Sequence, residues 1–317
     1  MPVTTAETMP PLRALPWMDV ALSSPGAFVR ISFVVLACLL AALTWSTPAR
    51  AARGYDDCTG FVTAVPAVIS KPGTWCLKKN LNTAIASGNA IEIQGNNITI
   101  DCNDFALSGL PAGTATQAFG IYALRRSYAT VRNCTVRGFR TGVLLADAAG
   151  AGHVVEDNRL DRNTVAGIDV AGSHAIVRRN RVSSTGGSPI VATTPFAITT
   201  DGVVDVVDNI VAGVAPSAGA VNQDVVGIGG ADNTGARIMG NDVGGLAKAG
   251  SGSARGIVNA TAGLLTLRRN NVVGDGSAGS VGLACADASG RASENIVSGF
   301  ATALSVCNDS GRNDVVP

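Results

Sequence analysis

Nine times along this chain of 317 residues, a corner residue is followed two positions later by an apolar residue. Successive corners are 18 to 32 residues apart, and they are Asn103, Cys134, Asn158, Asn180, Asn209, Asn241, Asn270, Asn295 and Asn313. A second column, a small residue followed by an apolar one, runs in phase with the first, at Ala90, Gly120, Gly142, Gly167, Ala197, Gly227, Gly256, Gly282 and Ala303. Two columns in phase indicate one supersecondary unit that is repeated and stacked.

The repeat unit is built from short strands. Runs such as Ile98-Thr99-Ile100 and Ile168-Asp169-Val170 alternate apolar and polar residues, which is typical of a strand with one buried face. No unit has enough helical periodicity for a crossover helix, so turns alone must connect the strands. The sequence therefore predicts an all-β fold, a parallel β-helix of about nine coils, and the preference of parallel crossovers makes it right-handed.

Each column has an expected physical role. We expect the Asn column to mark a corner with left-handed or bridge backbone, which Asn tolerates well, and its amides to bond from coil to coil. We expect the Gly column to mark the start of a strand, where the backbone bends sharply.

The segment Lys71-Pro72-Gly73-Thr74-Trp75-Cys76-Leu77, followed by Ile98-Thr99-Ile100-Asp101-Cys102-Asn103, looks like the opening of a known kind of domain. With the repeat, it resembles the right-handed parallel β-helix proteins of the pectin-lyase-like superfamily, and most of all their secreted bacterial members. The resemblance covers Cys58 to the C-terminus. It implies chemistry on polysaccharides, performed in that superfamily by clusters of Asp, or by Arg and Lys with Ca²⁺, on the outside of one sheet.

The first 51 residues read as a secretory signal. An apolar run from Ile31 to Trp45 follows Arg30, and Ala49-Arg50-Ala51 fits a cleavage site. Fifteen residues are too few to span a membrane, which argues against an uncleaved membrane anchor. No membrane span is predicted after cleavage. The predicted organisation is a signal peptide over 1–51, an N-terminal cap over 52–85 and the β-helix over 86–317. The protein is expected to be secreted or periplasmic, with either Met1 or Met18 as its start.

Six cysteines remain after removal of the signal, which suits disulfides in an exported chain. Cys285 and Cys307 follow Gly-column strands of consecutive coils, and Leu283 aligns with Leu304. Cys102 and Cys134 lie at the Asn corner of consecutive coils. The predicted pairs are Cys285–Cys307, Cys102–Cys134 and, by elimination, Cys58–Cys76.

Without residues 1–51 the chain holds equal numbers of basic and acidic residues, which argues against nucleic acid as a partner. The charge is segregated: residues 125–181 hold ten Arg and five acids, and residues 201–242 hold six Asp and one Arg. Opposite charges at equivalent places of successive coils, such as Glu156 beside Arg178, are expected to form ladders. Four arginines have no such partner and are the candidates for an anionic ligand: Arg125, Arg126, Arg137 and Arg140.

No strong catalytic motif is present. The two histidines, His153 and His174, lack zinc spacing, and calcium-binding repeats are absent, so no metal and no cofactor are predicted. Variable inserts at one corner, 106–119, 183–196, 212–226, 244–255 and 273–281, are expected to wall a groove. Its predicted floor is the outward residues Glu92, Tyr122, Leu144, Asp169, Thr199, Gly229, Val258, Ala284 and Ser305. The candidate catalytic residues among them are Glu92, Tyr122 and Asp169, with His174 and Asp201 near in sequence.

Two functions fit this sequence. The first is an exported, non-catalytic β-helix repeat protein that binds polysaccharide or belongs to the cell envelope or surface. The second is a polysaccharide lyase, epimerase or glycoside hydrolase acting on the outward face of the Gly-column sheet. Convergence of two carboxylates, or of a carboxylate and Arg or His, in a pocket on that face would favour the second. The neutral floor of the later coils favours the first; the sequence leaves the oligomeric state open.

The signal prediction has a direct test. We expect the native protein to begin near Ala52 and to be found outside the cytoplasm. Mass spectrometry of protein purified from its source would show this N-terminus, whereas an intact Met1 or Met18 would contradict it.

Overall fold

The chain forms a right-handed parallel β-helix, in which each coil contributes a strand to each of three parallel sheets. The computed structural model describes residues 55–146 and 150–316, so the predicted signal segment lies outside the described residues. Two short 3₁₀ helices, Tyr55–Asp57 and Leu110–Ala112, accompany the strands. No helix within the described ranges is long and apolar enough to cross a membrane. The predicted fold class, an all-β solenoid of about nine coils, is confirmed.

The sheets are named here in the order in which the chain visits them within a coil. The first sheet has 11 strands: Gly60–Val62, Gly73–Leu77, Ile98–Asp101, Thr130–Arg132, Val154–Glu156, Ala175–Arg178, Val204–Val207, Arg237–Met239, Thr266–Arg268, Arg291–Ser293 and Asn308–Asp309.

The second sheet follows the Asn corner. Its ten strands are Leu81–Asn82, Ala106–Ser108, Thr135–Arg137, Arg159–Asp161, Arg181–Thr185, Ile210–Val214, Asp242–Leu246, Asn271–Val273, Ile296–Ser298 and Asp314–Val316.

The third sheet carries the Gly column. Its ten strands are Ala67–Ile69, Asn89–Ile93, Phe119–Leu124, Thr141–Ala146, Ala166–Ala171, Phe196–Asp201, Val225–Ala231, Ala254–Asn259, Val281–Ala284 and Thr302–Ser305. Strands before residue 86 already pair in these sheets, and the division into a cap over 52–85 and a β-helix over 86–317 stays a prediction.

The core consists of apolar columns that run along the axis. Every residue of one such column, on the third sheet, is fully buried: Ile91, Ile121, Val143, Ile168, Ile198, Ile228, Ile257 and Leu283. These residues pair in register from coil to coil. Because side chains alternate along a strand, this register directs the residue that follows each of them toward solvent.

A ladder of asparagine amides fills the corner between the first and second sheets. From Asn158 to Asn295 each Nδ2 donates to the Oδ1 of the Asn in the next coil, at 2.9–3.0 Å, and Asn313 is the last acceptor. The same Oδ1 accepts the backbone N–H of the preceding Asn, and each Nδ2 also reaches a carbonyl of the preceding coil, as Asn209 does with Val177 at 2.9 Å. Asn158 to Asn295 are at most 1% exposed, so these amides are satisfied inside the protein.

The ladder asparagines do not themselves have left-handed backbone. The left-handed residue is the one before each corner residue from Cys134 to Asn313: Asn133, Asp157, Arg179, Asp208, Gly240, Arg269, Glu294 and Arg312. Asn103, in contrast, is itself left-handed, and Leu107 rather than Phe105 pairs with Val136, so the first step of the column is displaced. The ladder position therefore requires an amide for its hydrogen bonds.

The glycines of the third sheet also differ from expectation. Gly167 has no left-handed backbone; instead, a Cβ there would collide with the Val182 side chain and lie 2.7 Å from the Ala197 carbonyl oxygen. The column is kept small because the third sheet approaches the inward valines of the second sheet closely.

Three disulfides occur among the described residues, and they join the pairs that the sequence analysis predicts. Cys58–Cys76 lies at the N-terminal end of the β-helix, and Cys102–Cys134 lies at the N-terminal end of the Asn ladder. Cys285–Cys307 links two late coils with a Cα–Cα distance of 4.9 Å. The ladder continues into the second pair, since the Cys134 N–H donates to Asn158 Oδ1 at 2.9 Å. Leu283 pairs with Leu304, as the alignment of the third pair requires.

The ladder supports a stability prediction. Asn209→Ala removes a central amide, leaves the Asn180 N–H without its acceptor in a buried corner and removes one hydrogen bond of Asn180 Nδ2. Each buried polar group left unsatisfied costs about 1–3 kcal/mol, so we expect a loss of at least that size in the free energy of unfolding. Chemical denaturation measures it. Asn271→Ala is the control, because this exposed neighbour of the ladder makes only a surface bond to Asp242; equal losses would contradict the ladder's role.

Candidate functional site

The outer face of the third sheet carries a column of residues in strict register. Backbone pairing places the nine predicted floor residues side by side, from Glu92 and Tyr122 through Asp169 to Ser305. From Asp169 to Ser305 there are five coil spacings, which at ~4.8 Å each gives a floor of about 24 Å.

Two cavities lie along this floor and share Arg255, Val258 and Ala260. Their volumes are about 440 and 370 Å³. Residues from four of the predicted inserts line them, namely Thr194, Asp224, Ser253 and Gly279. The inserts therefore wall a continuous groove over the later coils, as their shared corner predicts.

Three carboxylates line the larger cavity: Asp169, Asp201 and Asp224. Asp224 accepts the Ser253 N–H at 2.7 Å and pairs with Arg255 at 2.9 Å, so one wall carboxylate is fixed and neutralised. Asp169 and Asp201 have no ion-pair partner among the described residues. This is the convergence of carboxylates in a pocket that would favour a catalytic function.

Asp169 is the most perturbed acid of the groove. Burial, together with the negative charge of Asp201, raises the pKa of Asp169 to about 6, and Arg140 opposes the rise. Near pH 6 the cavity therefore holds one carboxyl that gains and loses a proton.

An aromatic ring, that of Phe196, lines the same cavity as this acid. The Phe196 ring covers Gly229, because a Cβ built at Gly229 would lie only 2.7 Å from Phe196 Cδ1. The absence of a side chain at Gly229 lets the ring lie against the sheet. A half-buried ring in a groove offers a stacking surface for an apolar face of a ligand.

The three predicted catalytic residues do not converge. Glu92, Tyr122 and Asp169 share the column, but three coil spacings, about 14 Å, separate Glu92 from Asp169. Hydrogen bonds from Gln94 and Asn89 lower the pKa of Glu92. Tyr122 packs against Phe119 with ring centroids 5.4 Å apart.

The four predicted ligand-binding arginines are divided between faces. Arg140 lies over the Phe119 ring at 5.4 Å on the groove side, whereas Arg137 belongs to the second sheet. Arg125 is exposed, with left-handed backbone. The buried Nε atoms of Arg126, Arg137 and Arg140 have no hydrogen-bond partner among the described residues. The charge of Arg140 opposes the rise in the pKa of Asp169, and the charge of Arg126 contributes to the lowered pKa of Glu92.

The sequence analysis missed Phe196, Asp224 and Arg255. Asp224 belongs to the acidic stretch 201–242, so a signal for it exists. Phe196 lies three positions before the floor residue Thr199, outside the alternation that selects the floor, and it reaches the groove because Gly229 gives it room.

No group of three or more metal-ligating side chains occurs within the described ranges. The histidines lie on adjacent coils but differ in environment: His153 is buried and accepts the Ala129 N–H at 3.3 Å, whereas His174 is exposed.

Residues 68–204 match the family model described as right handed beta helix region. The match covers less than half of the chain, and it agrees with the right-handed parallel β-helix fold observed here.

Two solved structures are similar. The Dettilon tailspike protein gp208 has 13% identity and a TM-score of 0.39, with 77% of this chain covered. The Agl-KA catalytic domain has 13% identity and a TM-score of 0.33, with 78% covered. The chain spans 60% and 57% of their lengths, less than two thirds of either. No curated protein matches the sequence.

The raised pKa of Asp169 predicts two effects, one on the titration of this carboxyl and one on the stability of the fold. An NMR titration should give a midpoint near pH 6 for Asp169, and Asp201→Asn should lower it by removing a like charge. Asp242→Asn, which changes an exposed acid on the second sheet, should leave the midpoint unchanged.

The second effect is on stability. Asp169 binds its proton more tightly when folded than when unfolded, where the pKa is about 3.9. Stability should therefore be highest below about pH 4 for this group and should fall as pH rises through 6. Denaturation curves of Asp169→Asn should lack that fall; an unchanged pH profile would contradict the assignment.

Proposed function

We propose that the protein binds a polysaccharide in the groove on the outer face of the third sheet. The observation that carries this proposal is the Phe196 ring, which lies on the floor of a long open groove between polar walls. Sugar rings combine an apolar face with hydroxyl groups, so they match an aromatic platform with carboxylate and hydroxyl groups around it. The floor of about 24 Å suits an extended chain.

The charge of the groove supports a neutral polysaccharide. Three aspartates and one arginine line the larger cavity, an excess of negative charge that would repel a uronate. The smooth remainder of the floor, Val258, Ala284 and Ser305, adds no positive charge.

A second candidate is hydrolysis of the bound glycan, favoured by the pKa of Asp169. A carboxyl with a pKa of about 6 is suited to donate a proton to a leaving oxygen, and Asp201 on the same cavity supplies a second carboxyl that could activate water. Binding is the first proposal because it requires only the groove.

The binding proposal is tested with Phe196→Ala. Loss of the stacking surface should weaken binding of neutral oligosaccharides by at least about fivefold, since an aromatic contact contributes roughly 1–3 kcal/mol. Calorimetry against a panel of neutral and uronate-containing oligosaccharides measures this. Tyr128→Ala is the aromatic control. Tyr128 is exposed, packs on Gly152 and lies in the turn before the first-sheet strand Thr130–Arg132, away from the groove. No binding of any glycan, or equal effects of both variants, would overturn the proposal.

Catalysis is tested separately. If the protein hydrolyses its ligand, the rate of reducing-end release should be greatest at pH 5–6. Asp169→Asn should lower that rate by a factor of about 10² or more while binding is retained. Wild-type binding without reducing-end release would leave the non-catalytic function.

Export fits this proposal. Three disulfides are compatible with an oxidising compartment outside the cytoplasm, where a polysaccharide ligand would be found.

A further inference from the structure

The outer face of the first sheet carries ion pairs between successive coils. Arg132 pairs with Asp101 at 2.7 Å, Arg178 with Glu156 at 2.7 Å, and Arg237 with Asp205. Arg179 adds a contact to Asp157 at 2.8 Å. The predicted charge ladder between Glu156 and Arg178 is therefore present. Along these coils, positive charge on this face is matched by a carboxylate one coil earlier.

This matching fails in the last coils. Arg268 and Arg269 share one carboxylate, Glu294, at 2.6 and 2.8 Å. These hydrogen bonds lower the pKa of Glu294 to about 2. Arg291 and Arg312 are exposed and have no carboxylate partner among the described residues. Four arginines thus share one glutamate as their only ion-pair partner among the described residues, so positive charge is in excess here.

The unmatched arginines line a cavity. A depression of about 470 Å³ is bordered by Arg268, Arg291 and Arg312, together with Glu294 and the hydroxyl residues Thr266, Ser293 and Ser310. Strand pairing brings Arg291 beside Thr266, and Arg268 beside Ser293. The Thr266 and Ser293 hydroxyls make no hydrogen bond within the described residues. The nearby Asp309 is engaged by the Gly311 N–H and by Asn313.

We propose that this cavity is a binding site for a doubly charged oxyanion, a sulfate or phosphate group. Guanidinium groups donate two parallel hydrogen bonds to such oxyanions, and the free hydroxyls supply further donors. The site lies on the first sheet, on a different face from the groove of the third sheet, so it does not depend on the proposed glycan function.

Calorimetry of the full mature chain with inorganic sulfate and inorganic phosphate tests this site. Ionic strength is held constant with sodium chloride, so that screening is equal in every titration. We expect saturable binding of one or both ions to the wild type. Binding of sulfate alone identifies a sulfate ester as the natural group, and stronger binding of phosphate identifies a phosphate ester. Absence of binding beyond chloride would overturn the proposal.

Variants locate the binding. Arg291→Gln/Arg312→Gln should weaken it at least tenfold, and Arg291→Gln alone by an intermediate factor. The control is Arg159→Gln/Arg181→Gln, which removes the same charge from exposed positions on the second sheet. Equal weakening by both double variants would show that net charge alone attracts the ion, and would overturn the site.

Discussion

The buried asparagine ladder fixes the register on which every other feature of this protein depends. Each amide bonds along the axis in both directions, so a coil is held to its neighbours at one corner before its strands are considered. A slip of one residue would break two amide bonds and turn the apolar columns toward solvent. The ladder thus contributes specificity as well as stability, since a buried amide tolerates no other pairing.

With the register fixed, function depends on what varies between coils. The corner between the first and second sheets is nearly constant, whereas the corner between the second and third sheets accepts inserts. Because these inserts leave the chain at the same edge, they rise beside the third sheet and wall its outer face. A repeat that is strict inside and variable at one corner therefore builds a groove without any dedicated domain.

The sequence was sufficient for the fold, the floor column and the cysteine pairs, because each of these follows from periodicity. It was insufficient where a residue acts through a neighbour in another coil. Phe196 reaches the floor only because Gly229, in the next coil, lacks a side chain. The pKa of Asp169 is raised by burial and by the charge of Asp201, which lies on the next strand of the same sheet. Spacing gives the coil and face of such residues but leaves their side-chain contacts undetermined, and so Glu92 and Asp169 were grouped although about 14 Å separates them.

The three outer faces are chemically separate although they share one backbone. An outward residue contacts mainly its equivalents one coil away, so charge can be balanced on one face and unbalanced on another. On the first sheet, Arg132, Arg178 and Arg237 each pair with an acid of the preceding coil, and arginines are in excess in the last coils. On the third sheet, three aspartates and the Phe196 ring line one cavity. Substitutions on these faces are far apart and leave the inward columns unchanged, so their energetic effects should be independent. One solenoid can therefore carry two ligand sites of opposite charge.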